Sequence, residues 1–485
     1  MSMQRDGWWM DRVERNPKEN PKNLPRDMRG PLMLLALIAL ADAMVWQTLP
    51  GLSLAVLSLT IIGAACLMAH SLPPKRAILA GVTVILAVAP VIELVQPLSI
   101  LLLSIGLSAS LCLIAGVSAS QLLRSMHRYP WIAVLAATQD ANAKARRAFR
   151  EGTLAPSDAR TLFITWAVPL GLGLIFFLLL VGANPVLDRF MYNLTTASEL
   201  DLSRMFFWAI AGVVISAALI AHRLRGQLTA RAPERQMVHR PGLINAASVT
   251  RSLILFNALF AVQTATDIAF LYGDSALPSG MTYAQYAHRG AYPLLAAALL
   301  AGMFAVLARP FTDNSPLMRF ALILWLVQTL ALVVASATRL EIYVDVYGLT
   351  RLRIAAGIWM AVVAAGLGLV IWQVQKGHAT PWMLQRCAIL GLAALYAASF
   401  LNVDRMIAEY NLTHRVQLDR DYLCSLGEAA LDPIARHAFQ PQTFCNWFDH
   451  WNGPELSTPQ DWREWGFRNA RLRTSLATLN PETTP

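Results

Sequence analysis

This sequence is poor in charge. Asp, Glu, Lys and Arg together make up 14% of its 485 residues, against roughly 25% in ordinary soluble domains. So few charges cannot cover a water-facing globule of this length, and a disordered chain needs more polarity still. Cysteine is scarcer, at five residues, which excludes a disulfide-stapled secreted module. Several catalytic signatures are missing too. The sequence has no G-x-x-x-x-G-K-[ST] phosphate loop, no G-x-G-x-x-G after a strand, no H-E-x-x-H and no C-x-x-C pair. It also lacks the G-x-S-x-G of a nucleophile elbow. No catalytic residue, metal ligand set or cofactor follows from these residues.

Apolar residues fill the space instead. They make up 56% of the chain, and mean hydropathy is +0.45. They lie in blocks, and a block of about 20 mostly apolar residues is long enough to cross a bilayer as a helix. Eleven such stretches can be read, at about 31–49, 51–70, 77–96, 98–118, 161–183, 205–221, 252–272, 290–308, 320–338, 354–374 and 386–402. The expected fold is all-α: a polytopic transmembrane helix bundle of about eleven spans, within a range of ten to twelve, with a small helical C-terminal cap. Tight turns at Leu49-Pro50-Gly51 and Gln96-Pro97 would make the first four spans, 31–118, two hairpins.

Positive charge is distributed unevenly between the connections. With the N-terminus inside, the inner segments hold 26 Lys/Arg and the outer loops six. Cytoplasmic loops carry such an excess, so the N-terminus is expected in the cytoplasm and the tail outside. Residues 1–30, with seven basic and five acidic side chains, read as a disordered cytoplasmic tail. Residues 119–160 form a basic inner loop, and 161–402 a seven-span core. The C-terminal part, 403–485, has eight basic and eleven acidic residues and is expected on the outer side. Within 119–160, Trp131, Ile132, Val134 and Leu135 precede Lys144, Arg146, Arg147 and Arg150, a pattern suited to a helix on anionic lipid or to a cytoplasmic partner. Membrane lipids are thus the expected contacts. Nucleic acid is not, because positive loops are what membrane topology requires anyway.

The tail holds four tryptophans, at 447, 451, 462 and 465, and reads as folded. Helices are expected over about 419–437 and, from the cap at Thr458, over about 459–477. Cys66, Cys112 and Cys387 fall in apolar spans, whereas Cys424 and Cys445 fall in the tail. For those two, three readings stand: a disulfide, a pair of free thiols, or a metal site with Asp449 and His450.

Ionisable residues inside spans are costly and mark function by default. Asp42 sits inside the first span, Glu93 near the outer end of the third and Asp267 in the outer half of the seventh. Asn257, Gln263, Thr264 and Asp267 share one side of a helical wheel. This stripe reads as interhelical hydrogen-bonding glue, a cavity for a polar solute, or a proton relay. Two outer motifs add aromatic and charged groups. In 339–353, Arg339, Tyr343 and Tyr347 share one face of a helix expected to lie at the interface. Glu341 and Asp345 share the opposite face, Gly348 suits the helix end, and Thr350 suits the cap of the next span, followed by Arg351. In 273–292, Thr282 would cap a helix carrying Tyr283, Tyr286 and Arg289. Together the motifs would make an aromatic, Arg-lined vestibule; as an aromatic belt anchor, they would need no ligand.

The runs Leu277-Pro-Ser-Gly-Met-Thr-Tyr-Ala-Gln-Tyr-Ala-His-Arg-Gly290, Tyr343-Val-Asp-Val-Tyr-Gly-Leu-Thr-Arg-Leu-Arg353, Asn402-Val-Asp-Arg-Met-Ile-Ala-Glu-Tyr-Asn411 and Leu418-Asp-Arg-Asp-Tyr-Leu423 resemble a family of bacterial multi-pass inner-membrane proteins. That family is catalogued as a domain of unknown function (DUF 4173-like). The resemblance spans about 250–437. It implies a bacterial plasma-membrane location and no particular activity. Three functions fit: a binding, regulatory or scaffold protein meeting an envelope protein partner, a permease for a small polar solute, or an enzyme acting on a lipid-linked envelope substrate.

Overall fold

The structure, a computed structural model, describes residues 29–69, 72–151, 202–229, 245–269, 283–312, 315–437, 444–445 and 458–479, without the side chains of 141–151, 202, 283–295 and 312. Its described residues are helical throughout, with no strand among them. The expected N-terminal tail and fifth span, 161–183, lie outside the described residues. Seventeen α-helices are formed among the described residues. The first eight are α1 (Arg29–Val45), α2 (Leu52–Met68), α3 (Pro74–Glu93), α4 (Pro97–Ile114), α5 (Ala119–Met126), α6 (Tyr129–Glu151), α7 (Leu202–Leu219) and α8 (Arg225–Thr229). A second group follows: α9 (Ala246–Asp267), α10 (Tyr283–Thr312), α11 (Pro316–Tyr347), α12 (Arg351–Lys376) and α13 (Thr380–Phe400). The tail adds α14 (Val403–Thr413), α15 (Arg420–Ser425), α16 (Leu431–Arg436) and α17 (Phe467–Leu479).

Six of these helices, α3, α4, α9, α11, α12 and α13, are long and apolar enough to cross a membrane, and α2, α7 and α10 contain shorter apolar stretches. Their outward faces are greasy: Leu67, Val262 and Leu352 are each more than 60% exposed. A helix that is apolar on its exposed side as well as its packed side belongs in lipid. Helix starts follow local rules. Gln96 and Ser99 form a reciprocal capping box at α4, and Asn245 and Ser248 do the same at α9. Ser315 and Thr350 accept from backbone N–H groups at the starts of α11 and α12.

Two cores result. In the first, α3 and α4 pack tightly through small residues, with Ser110 Oγ donating to the Ala80 carbonyl at 3.1 Å. Around them gather α2, α5, α6 and α7, and the buried Tyr129 hydroxyl donates to the Ala217 carbonyl at 2.9 Å. The second core joins α9, α10, α11 and α12 around Trp325, whose ring lies 5.1–5.6 Å from those of Phe256, Phe260 and Phe304. Helix α13 packs on α12 and also on α3 and α4, and Tyr396 donates to the Leu86 carbonyl at 3.0 Å.

The tail crosses back over the first core. The expected helix at 459–477 starts instead at Phe467, because Trp462–Glu464 form a 3-10 turn docked on α2. There the Leu52 N–H donates to the Trp465 carbonyl at 3.0 Å and Arg463 donates to the Ala43 carbonyl at 2.6 Å. The approach is close enough that a Cβ on Gly51 would meet the Glu464 backbone at 2.5 Å. Deeper in, Arg468 and Arg471 of α17 both donate to Glu93 Oε1 at 3.1 Å, and Arg468 also reaches the Ser399 carbonyl at 3.3 Å. Glu93 and Arg468 are both buried. The helix expected over 419–437 is broken into α15, a 3-10 turn and α16, because the chain turns at Gly427.

This clamp generates a prediction. Glu93→Ala leaves Arg468 buried without its counter-charge and should destabilise the docked tail by about 3–5 kcal/mol. Limited proteolysis of intact membranes should then cut within 403–485, and removing Arg468 as well should restore part of the resistance. Unchanged resistance in Glu93→Ala would show that the pair does not hold the tail.

Candidate functional site

The motif 339–353 is not a separate interfacial helix. It forms the last turns of α11, a 32-residue helix, followed by the short link into α12. Continuity changes the fate of its side chains. Arg339 is buried and donates to Asp267 at the end of α9, whose other neighbour, Gln263, donates at 2.9 Å. Arg339 therefore belongs to a contact between α9 and α11. The rings of Tyr343 and Tyr347 lie 4.8 Å apart, tilted by 45°, and Arg353 lies 4.4 Å over Tyr343. Glu341 and Asp345 face the tail, where the Tyr410 hydroxyl donates to Asp345 at 3.2 Å. Burial first, then this bond and the two carboxylates, hold the Tyr410 phenol above its ordinary range.

Arg351 acts as a strut. Its guanidinium reaches Asp404 at 2.5 Å and the Leu426 carbonyl at 3.3 Å, while its backbone N–H donates to the Tyr422 hydroxyl at 2.9 Å. Asn411 adds a two-point bond to Leu349, accepting from its N–H at 2.7 Å and donating to its carbonyl at 3.0 Å. These bonds hang α14 and α15 from the α11–α12 link. Behind them Ile407, Leu423, Leu426 and Ile434 form a small core, and Cys424 is bonded to Cys445.

Between link and tail lies a cavity of about 840 Å³. Tyr347, Tyr422 and Phe444 give it aromatic walls. Arg353 and Arg420 supply positive charge, Asp419 and Asp421 negative charge, and Asn411 and Gln417 amides. Arg420 lies 5.3 Å over Phe444. Of the outer-motif aromatic and charged residues read from sequence, Tyr347 alone lines this cavity, beside the cap Thr350 and the tail cysteines Cys424 and Cys445. Tyr343, Asp345 and Arg351 support it from behind. The second half of the expected vestibule, Tyr283, Tyr286 and Arg289, lies in the first turns of α10, and their side chains are outside those described. Sequence reasoning picked out Cys424 and Cys445 as a pair but gave Gln417, Asp419, Arg420, Tyr422 and Phe444 no place in a site, because only the folded tail brings them to the link.

The polar stripe of α9 lies against α11. Asn257 donates to the carbonyls of Leu253 and Ala321. Asn257 Oδ1, Thr264 Oγ1, Gln328 Oε1 and Trp325 Nε1 are buried and have no hydrogen-bond partner among the described residues. Asp42 of α1 accepts from Arg204 and Trp208 of α7, at 2.9 and 2.8 Å, and so fastens those two helices. Among the described residues no group of His, Cys, Asp and Glu could hold a metal ion.

A family model for a domain of unknown function (DUF4153) matches residues 76–437. The chain belongs to this family. The DUF4153 match begins at Arg76, in the first turn of α3, and ends at His437, just after α16. It carries a different number from the resemblance drawn from the motifs and the same description. The DUF4153 region takes in most of the cavity wall but not Phe444, Cys445 or α17. No curated protein and no solved structure matches the chain.

The disulfide can be checked directly. A thiol reagent applied to denatured, non-reduced protein should label Cys66, Cys112 and Cys387, and reduction should expose Cys424 and Cys445 as well. Closing a loop of this length should contribute roughly 3 kcal/mol. Free thiols at both tail positions would refute the bond and return the tail to a reducing compartment.

Proposed function

We propose that this DUF4153 chain is a binding or scaffold protein of a bacterial plasma membrane, its N-terminus cytoplasmic and its tail outside, crossing the bilayer about eleven times. The cavity under the tail holds a polypeptide segment of an envelope partner. One observation carries this reading: a cavity of about 840 Å³ whose wall combines aromatic rings, guanidiniums, carboxylates and amides. Aromatic residues and Arg are the types enriched where proteins bind one another, and charges of both signs beside amides suit a peptide better than a simple ion. The 26-to-six bias of Lys/Arg supports the orientation, as does a disulfide in the tail.

A photo-crosslinking amino acid at Tyr347 or Phe444 should give one discrete protein adduct in cells, reduced several-fold by Arg420→Glu. Adducts that are absent, or indifferent to Arg420→Glu, would sink the proposal.

The unpartnered polar atoms along α9 and α11 favour a second reading, a permease for a small polar solute. In vesicle uptake of a polar solute panel, Asp267→Asn should then abolish transport without loss of expression. Uptake equal to the parent's would leave that seam as helix packing alone.

A further inference from the structure

At the end of the first core opposite the tail, a second cavity of about 500 Å³ opens among the end of α2, the start of α3, the end of α4 and α8. Arg76, Arg225 and His222 line it, and among the described residues no acidic one does. Gly116 sits at its centre with φ +88, a backbone that a side chain would strain. A Cβ there would stand 2.8 Å from Arg76 Nη1 and 3.6 Å from Arg225 Nε. Glycine therefore lets two guanidiniums converge on one point.

Neither guanidinium has an ion pair or hydrogen bond to another described residue. The carbonyls that end α4 do not neutralise them. Ala115, Gly116 and Val117 fold back to donate to Leu111, Leu113 and Cys112, so those carbonyls already hold an N–H each. Each helix C-terminus brings only about half a negative charge, so two full positive charges leave the cavity net cationic. Like charges held together without a carboxylate call for an anion. The planar fork of Arg matches phosphate oxygens in pairs. A cavity of this size has room for a phosphate with its ester substituents. It also lies at helix ends flanked by Pro73-Pro74-Lys75, the level at which headgroups sit, and basic pockets between membrane helices bind such groups.

We propose that Arg76 and Arg225, opposed across Gly116, form a binding site for a phosphate-bearing anion on the face of the molecule away from the tail. The site shares no residue with the cavity proposed for the envelope partner.

The test uses the purified full chain and two probes. In native mass spectrometry with phosphatidylglycerol and phosphatidylcholine offered together, the parent should keep phosphatidylglycerol about tenfold better than Arg76→Gln/Arg225→Gln. That result assigns the phosphate to a lipid headgroup. In phosphatidylcholine nanodiscs, a rise in Tm with inorganic phosphate that the double variant lacks would assign it to a soluble phosphate compound. Arg225 is exposed, so Arg225→Gln alone should spare the fold and lose part of the effect. Arg76→Lys/Arg225→Lys should keep the charge, fold normally and bind more weakly than the parent. Equal responses of parent, Arg225→Gln and lysine variants to both probes would overturn the site.

Discussion

One buried carboxylate holds the tail of this protein to its helices. Glu93 ends α3, and the only charges to reach it among the described residues come from Arg468 and Arg471, some 375 residues later. Arg468 also touches the last turn of α13 through the Ser399 carbonyl. The clamp therefore ties three remote parts together: the first core, the end of the second group and the tail. With that anchor in place, Trp465 can meet Leu52 and Arg463 can reach Ala43. A buried pair of this kind adds little net stability, but removing one partner is costly. Its contribution is to fix one docking geometry among many.

Docking matters because the cavity has no wall without the tail. The α11–α12 link presents Tyr347, Thr350 and Arg353, a shallow rim at most. Cavity depth comes from α14 and α15, which Arg351 and Asn411 suspend from that link. Asp432, buried among Arg405, Arg436 and Ser475, joins α14 and α16 to α17. The polar contacts thus run from the cavity wall through the tail to Glu93.

The helical class and the membrane character were legible because both follow from composition and local pattern. So were Thr350 as a cap, the turn at Gln96-Pro97 and the segregation of cysteines, all of which depend on near neighbours. Asp42 and Asp267 stood out as misplaced charges, but their partners Arg204 and Arg339 lie 162 and 72 residues away. Periodicity carries no information at that range. The reading of 339–353 went astray for a related reason. An amphipathic face at the end of an apolar run looks the same whether the helix bends onto the interface or continues straight. What decided it was a buried partner for Arg339 on another helix. The cavity wall was hidden more completely, since its residues come from helix ends and short connections, remote in sequence, whose pattern is that of any polar surface.

Helix α11 sets the height of everything above it. Its 32 residues span about 48 Å at 1.5 Å each, while the hydrocarbon layer is about 30 Å thick. A strongly tilted rod would absorb part of the difference, but the tyrosines, acids and tail contacts of its last turns are made for water. In the proposed orientation the final turns would stand clear of the lipid like a mooring post, with the tail tied to the top of it. A guest of the cavity would have to arrive from the aqueous compartment, since sideways diffusion within the leaflet passes beneath the entrance.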